Sequence, residues 1–499
     1  MGNASTNLLQ LFVNMVVTFV MAPIYLKMMG HYDYGLREIV VAFIGTMGLL
    51  SIGMQPTVSR FVSMHSARAE KSELDAVYIT SMVFMFGVGL LLGLFFFGWA
   101  ILYPNSIGQS GSDSEKYMVF LLLVGLQAWI SFPMNVVTSF LEGLQRFIFK
   151  NILNIFFTIA IAIIFYNYMD EENALILLVS LSLLSVILRL LIFSWILSFP
   201  KLGRLRLRLS AFSLSKLKEL LSFGSKSFVQ YIATSINGAS DRLVIGGVLG
   251  PTAVPVFTIP QTLMQYVNNI TMTFTQVFMP MFSQMNALDQ KEGLKKVFLF
   301  ASKYTVSVVL AMSVGIGVIG APFIAIWMPG EFDPTLVNNI ILVLASYIAI
   351  HRLSPFSGHF LTAINKHGFL AKVMPVGALF NLVISLWLVF EIGVLGAAIG
   401  TLVPAFVLVP LILGYCCRQL EISVLEYARY SIFPGLIPVL IMGSVILTMR
   451  IKIGLASYGD ILSVVLVGVL VFALAFLIFS CPREERNFLF RKLRFGKKP

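Results

Sequence analysis

The sequence predicts an all-α integral membrane protein of about fourteen transmembrane helices, built as two six-helix lobes followed by two more helices. Three observations predict it. Hydrophobic residues make up 58% of the chain and charged residues only 12%, with a mean hydropathy of +0.90, whereas a soluble domain is about a quarter charged. The apolar residues fall into runs of the roughly 20 needed to cross a bilayer. The chain also nearly repeats itself: Leu141-Glu-Gly-Leu-Gln-Arg-Phe-Ile-Phe149 returns as Leu361-Thr-Ala-Ile-Asn-Lys-His-Gly-Phe369, an offset of 220. The same offset brings Met28-Met-Gly30 onto Val248-Leu-Gly250, Gln10 onto Gln230 and Ser63 onto Ser283. Repeats of this kind build many secondary transporters, with the cargo site between the halves.

In chain order, the first lobe reads as spans at Thr6–Met29, Ile39–Val58, Val77–Leu102, Tyr117–Leu141, Phe147–Tyr166 and Ala174–Leu197. The second reads as Phe223–Leu249, Val254–Met279, Val297–Trp327, Leu336–Leu361, Phe369–Phe390 and Val394–Cys416. The additional pair is Tyr430–Met449 and Ile461–Ser480. Strands are excluded, because runs this long and continuously apolar lack the alternation of a membrane barrel. Residues 1–200 thus form the N-terminal lobe, 201–220 a basic linker, 221–420 the C-terminal lobe, and 421–499 the extra helices and a basic tail. Six spans is an even number, so both lobes enter the membrane from the same side as a parallel repeat.

Orientation follows from Lys and Arg, which are retained in cytoplasmic loops. With the N-terminus inside, the inside loops and tail hold 25 of them and the outside loops five: Lys27, Arg37, Lys116, Arg450 and Lys452. Both termini and the Lys201–Lys218 linker are therefore expected in the cytoplasm. The net charge of +12 then reflects topology and anionic inner-leaflet lipid, not nucleic acid. No A-x-A-like cleavage site follows the first apolar run, which is expected to stay as a helix.

Cys416, Cys417 and Cys481 lie at cytoplasmic helix ends, where disulfides do not form readily. No Walker A sequence, H-E-x-x-H or nucleophile elbow is present. Neither catalysis nor a cofactor is expected. Prolines fall inside many spans (Pro23, Pro56, Pro133, Pro260, Pro355, Pro375, Pro404 and Pro434), where each removes a backbone hydrogen bond and bends its helix. Pro23, mid-way along the first span, is the expected hinge.

Charges inside the spans carry the chemistry. Lys226, Asp241 and Arg242 fall in the seventh span, Lys303 in the ninth, Arg352 in the tenth and Arg189 in the sixth. An ionised side chain near the bilayer centre costs about 2.5–3.5 kcal/mol on insertion scales, so it faces a cavity or a partner. Lys226, Lys303 and Arg189 are near enough to the cytoplasmic ends to snorkel, whereas Arg242 and Arg352 are deeper. Asp241 is the one acid among them, either neutralising Arg242 or joining a site. The excess of basic groups suits an anionic cargo. At offset 220, Lys226, Arg242, Lys303 and Arg352 map onto Thr6, Ala22, Val83 and Phe132, so only the second lobe has a basic wall. Arg242, Arg352, Lys226, Asp241 and Lys303 are the candidate cargo-binding residues, with Arg favoured for phosphate by its planar fork.

The motifs Pro23-x6-Gly30-x3-Tyr34-Gly35, Leu141-Glu-Gly-x-x-Arg146 and Asp241-Arg242-Leu-Val-Ile-Gly246-x3-Gly250 resemble those of polysaccharide (O-antigen-type) flippases of the multidrug/oligosaccharidyl-lipid/polysaccharide exporter superfamily. Pro255 and Phe257 stand where that family often has Gly and Tyr. The resemblance implies a V-shaped, alternating-access transporter of the cell inner membrane that moves a polyprenyl-diphosphate-linked oligosaccharide to the outer leaflet. It also implies other polysaccharide-assembly membrane proteins as partners. A cation-coupled multidrug exporter of the same superfamily is the alternative; it would call for buried acids and usually twelve spans. A polymerase or ligase would carry a large outside loop, and the segment Pro104–Lys116 is short.

Overall fold

The computed structural model describes residues 2–51, 53–102, 114–199, 209–276, 278–366 and 368–482, without the side chains of 2–4, 50, 209, 226–238 and 276. Most of the linker, the C-terminal tail and the Lys226 side chain therefore lie outside the described residues. Those that are described contain no strand.

Helix α1 (Gly2–Met47) passes through Pro23 unbroken and turns at Gly30, whose φ of 71° and ψ of 172° are non-helical. A 3₁₀ turn, Gly48–Ser51, and α2 (Met54–Ala67) complete the second pass. Single helices follow: α3 (Lys71–Leu102), α4 (Ser114–Gly143), α5 (Phe147–Tyr168) and α6 (Ala174–Leu197). Then come α7 (Leu214–Leu249), α8 (Val254–Gln276), α9 (Phe278–Ala287), α10 (Lys291–Trp327), α11 (Pro334–His351) and α12 (Ser357–Ala363). After α13 (Gly368–Ile392) and α14 (Val394–Gln419), one turn of helix, α15 (Val424–Tyr427), leads through a π-helical stretch, Ala428–Ile432, into α16 (Phe433–Ile453) and α17 (Tyr458–Phe479).

Among the described residues, eleven helices are long and apolar enough to cross a membrane, beside about fourteen spans expected from the sequence. The first two expected spans are joined in α1, α7 includes 226–238, whose side chains lie outside those described, and α8 is rich in polar residues. Helix α8 alone carries Gln261, Gln265, Asn268, Asn269 and Gln276. Such a helix is a poor neighbour for lipid and a good wall for a polar cavity.

The chain divides within α7 into two compact units, Met1–Ala239 and Ser240–Pro499. In the first, α3 and α4 pack through small residues: a Cβ on Gly93 would lie 3.1 Å from the Gly125 carbonyl, the close approach that glycine permits in membranes. In the second, α13 packs on α14, and α10 packs on α11 and α16. Leu91, Phe390, Leu440 and Ile478 are exposed on long apolar helices.

The repeat extends to the backbone. Non-glycine residues take positive φ at Ala69 (56°) and Asp289 (52°), and at Gln145 (57°) and Asn365 (58°), each pair 220 apart. At the second pair Arg146 N donates to Leu141 O and Lys366 N to Leu361 O, both at 2.8 Å. These are Schellman-type closures, in which a left-handed residue lets the chain cap its own helix. The sequence match at Leu141 and Leu361 is thus a match of turns.

Candidate substrate site

The two deep arginines are held by one helix. Arg242 Nη2 on α7 donates to Gln261 Oε1 on α8 at 3.4 Å. Arg352 Nη2, at the end of α11, donates to Asn268 Oδ1, also on α8. Gln261 and Asn268 are two helical turns apart on one face, about 10 Å along the axis. Both partners are neutral amides, which orient a guanidinium without cancelling its charge. A guanidinium carries five N–H donors in a planar fork, a geometry suited to an anionic ligand.

The position of Arg352 depends on a broken helix. Helix α11 ends at His351, Pro355 follows, and the pass resumes as α12. Pro355 has no N–H to continue the ladder. In the first unit the corresponding helix, α4, runs unbroken through Pro133. Interrupted helices at membrane depth are tolerated where they line a cavity or are buried in protein, and transporters use them for binding. In the last turns of α11 leading to Arg352, the rings of Tyr347 and His351 lie 5.2 Å apart, with His351 exposed.

Asp241 has different neighbours from Arg242. It is 3% exposed, and its carboxylate accepts from Thr401 Oγ1 at 3.0 Å and Ser385 Oγ at 3.4 Å. Asn381 Nδ2 donates to Thr401 Oγ1 at 3.1 Å, and Ser240 Oγ donates to Asn381 Oδ1 at 3.3 Å. This cluster joins α7 to α13 and α14, and the Arg242 charge acts on the carboxylate through space. With one carboxylate and otherwise neutral oxygens, its chemistry suits a hard monovalent cation better than a transition metal. Among the described residues no three His, Cys, Asp or Glu gather as metal ligands.

The remaining candidates separate. Lys303 is buried on α10, 5.3 Å from the Tyr304 ring. It lies on the stripe of Leu299 and Ser307, which meet Ser431 and Gly435 of the C-terminal segment. Arg189 is satisfied inside the first unit, donating to Ser185 O at 3.1 Å and Asn154 Oδ1 at 3.3 Å. The backbone of Lys226 is helical within α7. Sequence reasoning missed Gln261 and Asn268; their seven-residue spacing within an apolar span was the available signal.

Long helices, polar α7 and α8 and an interrupted pass carrying a cation define a multi-pass membrane protein of the transporter class. The chain belongs to the polysaccharide biosynthesis protein family, whose model matches residues 2–286. It is 22% identical over 276 residues to a probable low-salt glycan biosynthesis flippase of Haloferax volcanii, covering 54% of this chain and 57% of that protein. In structure it is similar to the lipid II flippase MurJ in an inward closed conformation, with a TM-score of 0.70 and 15% identity over 97% of this chain and 99% of that one. It is also similar to an inward-facing multidrug resistance MATE family transporter of the MOP superfamily, with a TM-score of 0.69 and 15% identity over 85% of this chain and 96% of that one. The resemblance to polysaccharide flippases read from the sequence is borne out.

Proposed function

We propose that the protein is a flippase that moves a polyprenyl-diphosphate-linked oligosaccharide from the inner to the outer leaflet of the plasma membrane for cell-surface polysaccharide assembly. The observation that carries this reading is the pair Arg242 and Arg352, each steadied by a neutral amide of α8. Two such forks can hold the oxygens of a diphosphate. The amides and hydroxyls around them offer hydrogen bonds to sugar, while the polyprenyl tail stays in lipid. Two six-helix lobes related as a parallel repeat would open the cavity alternately inward and outward, with both termini in the cytoplasm. Outward movement of an anion from a negative interior is downhill by about 2.3 kcal/mol per charge per 100 mV. Lys226, Lys303 and Asp241 are assigned secondary parts: Lys226 as a further cation on α7, Asp241 as a buried group that sets the helices around the arginines, and Lys303 as a buried group on the stripe of α10 that meets the C-terminal segment.

The alternative is a cation-coupled multidrug exporter, which the MATE likeness fits in fold. A cationic drug would need an acid presented to the cavity, and Asp241 is engaged by Thr401 and Ser385. Complementation separates the two readings. A host lacking the gene should lose surface glycan and accumulate the lipid-linked precursor inside, with unchanged drug sensitivity. Unchanged glycan together with increased drug sensitivity would select the exporter.

A further inference from the structure

The pass that carries Arg352 leaves a backbone carbonyl it cannot satisfy. In a continuous helix the Leu353 carbonyl would accept from Ser357 N, but that N–H donates to Ser354 O at 3.4 Å. Pro355 removes the donor due to the His351 carbonyl as well. A bare carbonyl within a membrane protein is strongly disfavoured, so something must meet it.

Tyr427 does. Its hydroxyl donates to Leu353 O at 2.8 Å, from the short helix that begins the C-terminal segment. The ring is fully buried, 5.9 Å from Phe298, with Ser302 and Ser354 beside the hydroxyl. The chain that follows is fixed along α10: Ser431 Oγ donates to Leu299 O at 3.1 Å, and a Cβ on Gly435 would lie 2.4 Å from Ser307 Oγ. The π-helical stretch Ala428–Ile432, which carries Ser431, is a widened turn of a kind often found near functional sites. The segment with no counterpart in the first unit therefore reaches the one break that carries a deep arginine. The corresponding helix of the first unit, α4, stays continuous.

We infer that Tyr427 is a positioning residue for Arg352: by holding the Leu353 carbonyl, it keeps the interrupted pass in the conformation that presents the guanidinium to an anionic ligand. The inference rests on Arg352 as an anion contact, and it gives the C-terminal segment a role at the site. Tyr427 itself does not touch the ligand.

The test uses the full chain in detergent, with farnesyl diphosphate as the probe of a prenyl diphosphate head. Tyr427→Phe keeps the ring and removes the hydroxyl. It should weaken probe binding about tenfold while the unfolding midpoint shifts by no more than a few degrees. Arg352→Ala should weaken binding by itself, and adding Tyr427→Phe to it should bring no further loss, because the tyrosine acts through the arginine. A purely structural tyrosine would lower the midpoint and leave the affinity of the folded protein unchanged; that result, or an additive loss in the double variant, overturns the inference. Wild-type binding by Arg352→Ala would instead remove the underlying reading, and the inference with it. Pro355→Ala supplies a second variant should Tyr427→Phe not accumulate. Its new N–H should re-close the pass and weaken probe binding by a similar factor, and wild-type affinity there would also overturn the proposal.

Discussion

Gly30 and Gly250, 220 residues apart, adopt the same unusual backbone conformation: φ 71° and ψ 172° at the first, φ 87° and ψ 169° at the second. This region of φ and ψ is open essentially to glycine alone. Each residue lies between the first and second passes expected for its half of the repeat. A weak sequence match is therefore a shared stereochemical requirement.

Alanine at either position should cost about 1–3 kcal/mol through backbone strain. Nothing lies within 4 Å of the added Cβ at Gly30 or Gly250, so crowding contributes little. Unfolding of purified Gly30→Ala and Gly250→Ala variants in detergent checks this. Wild-type stability in both would show that the turns relax.

The 25-to-5 division of basic residues predicts that Ser210 lies in the cytoplasm and Gly108 outside. Single cysteines there, in a version lacking Cys416, Cys417 and Cys481, are expected to report it with an impermeant thiol reagent. Labelling at Gly108 in intact cells with silence at Ser210 is expected; the reverse pattern would invert the topology.

Arg242→Ala and Arg352→Ala should each lower glycan export at least tenfold, the loss of a charged hydrogen-bonding group being worth about 1.5–3 kcal/mol. Lys at either position should rescue only partly, since a point charge does not reproduce a bidentate fork. Because Asp241 bonds to Thr401 and Ser385, the double change Asp241→Ala with Arg242→Ala should not restore transport. Restoration would mean that the two residues serve only each other.

Lys303→Met should leave prenyl diphosphate affinity within about threefold of wild type, because Lys303 shares its stripe with residues that meet the C-terminal segment. Binding to farnesyl diphosphate measures it. A loss as large as that of Arg352→Ala would return Lys303 to the anion site.

Much of the fold was legible in the sequence, because membrane insertion is governed by run length and composition, both one-dimensional quantities. The repeat was legible too, since turns such as Gln145 and Asn365 are set by local closure. The span count was less so, because composition does not show where two passes run on as one helix, as in Gly2–Met47.

By itself, the sequence determined that this is a helical membrane protein, internally repeated, with its deep cations in the second half. Only the tertiary structure decided how those cations are used. It gave Arg242 to Gln261, Arg352 to Asn268, and Asp241 to Thr401 and Ser385. It also brought Tyr427 to a carbonyl 74 residues away in sequence. Hydrophobic run length is a property of neighbours along the chain. Which amide or hydroxyl meets a buried charge depends on helices that pack only after the chain is in the membrane.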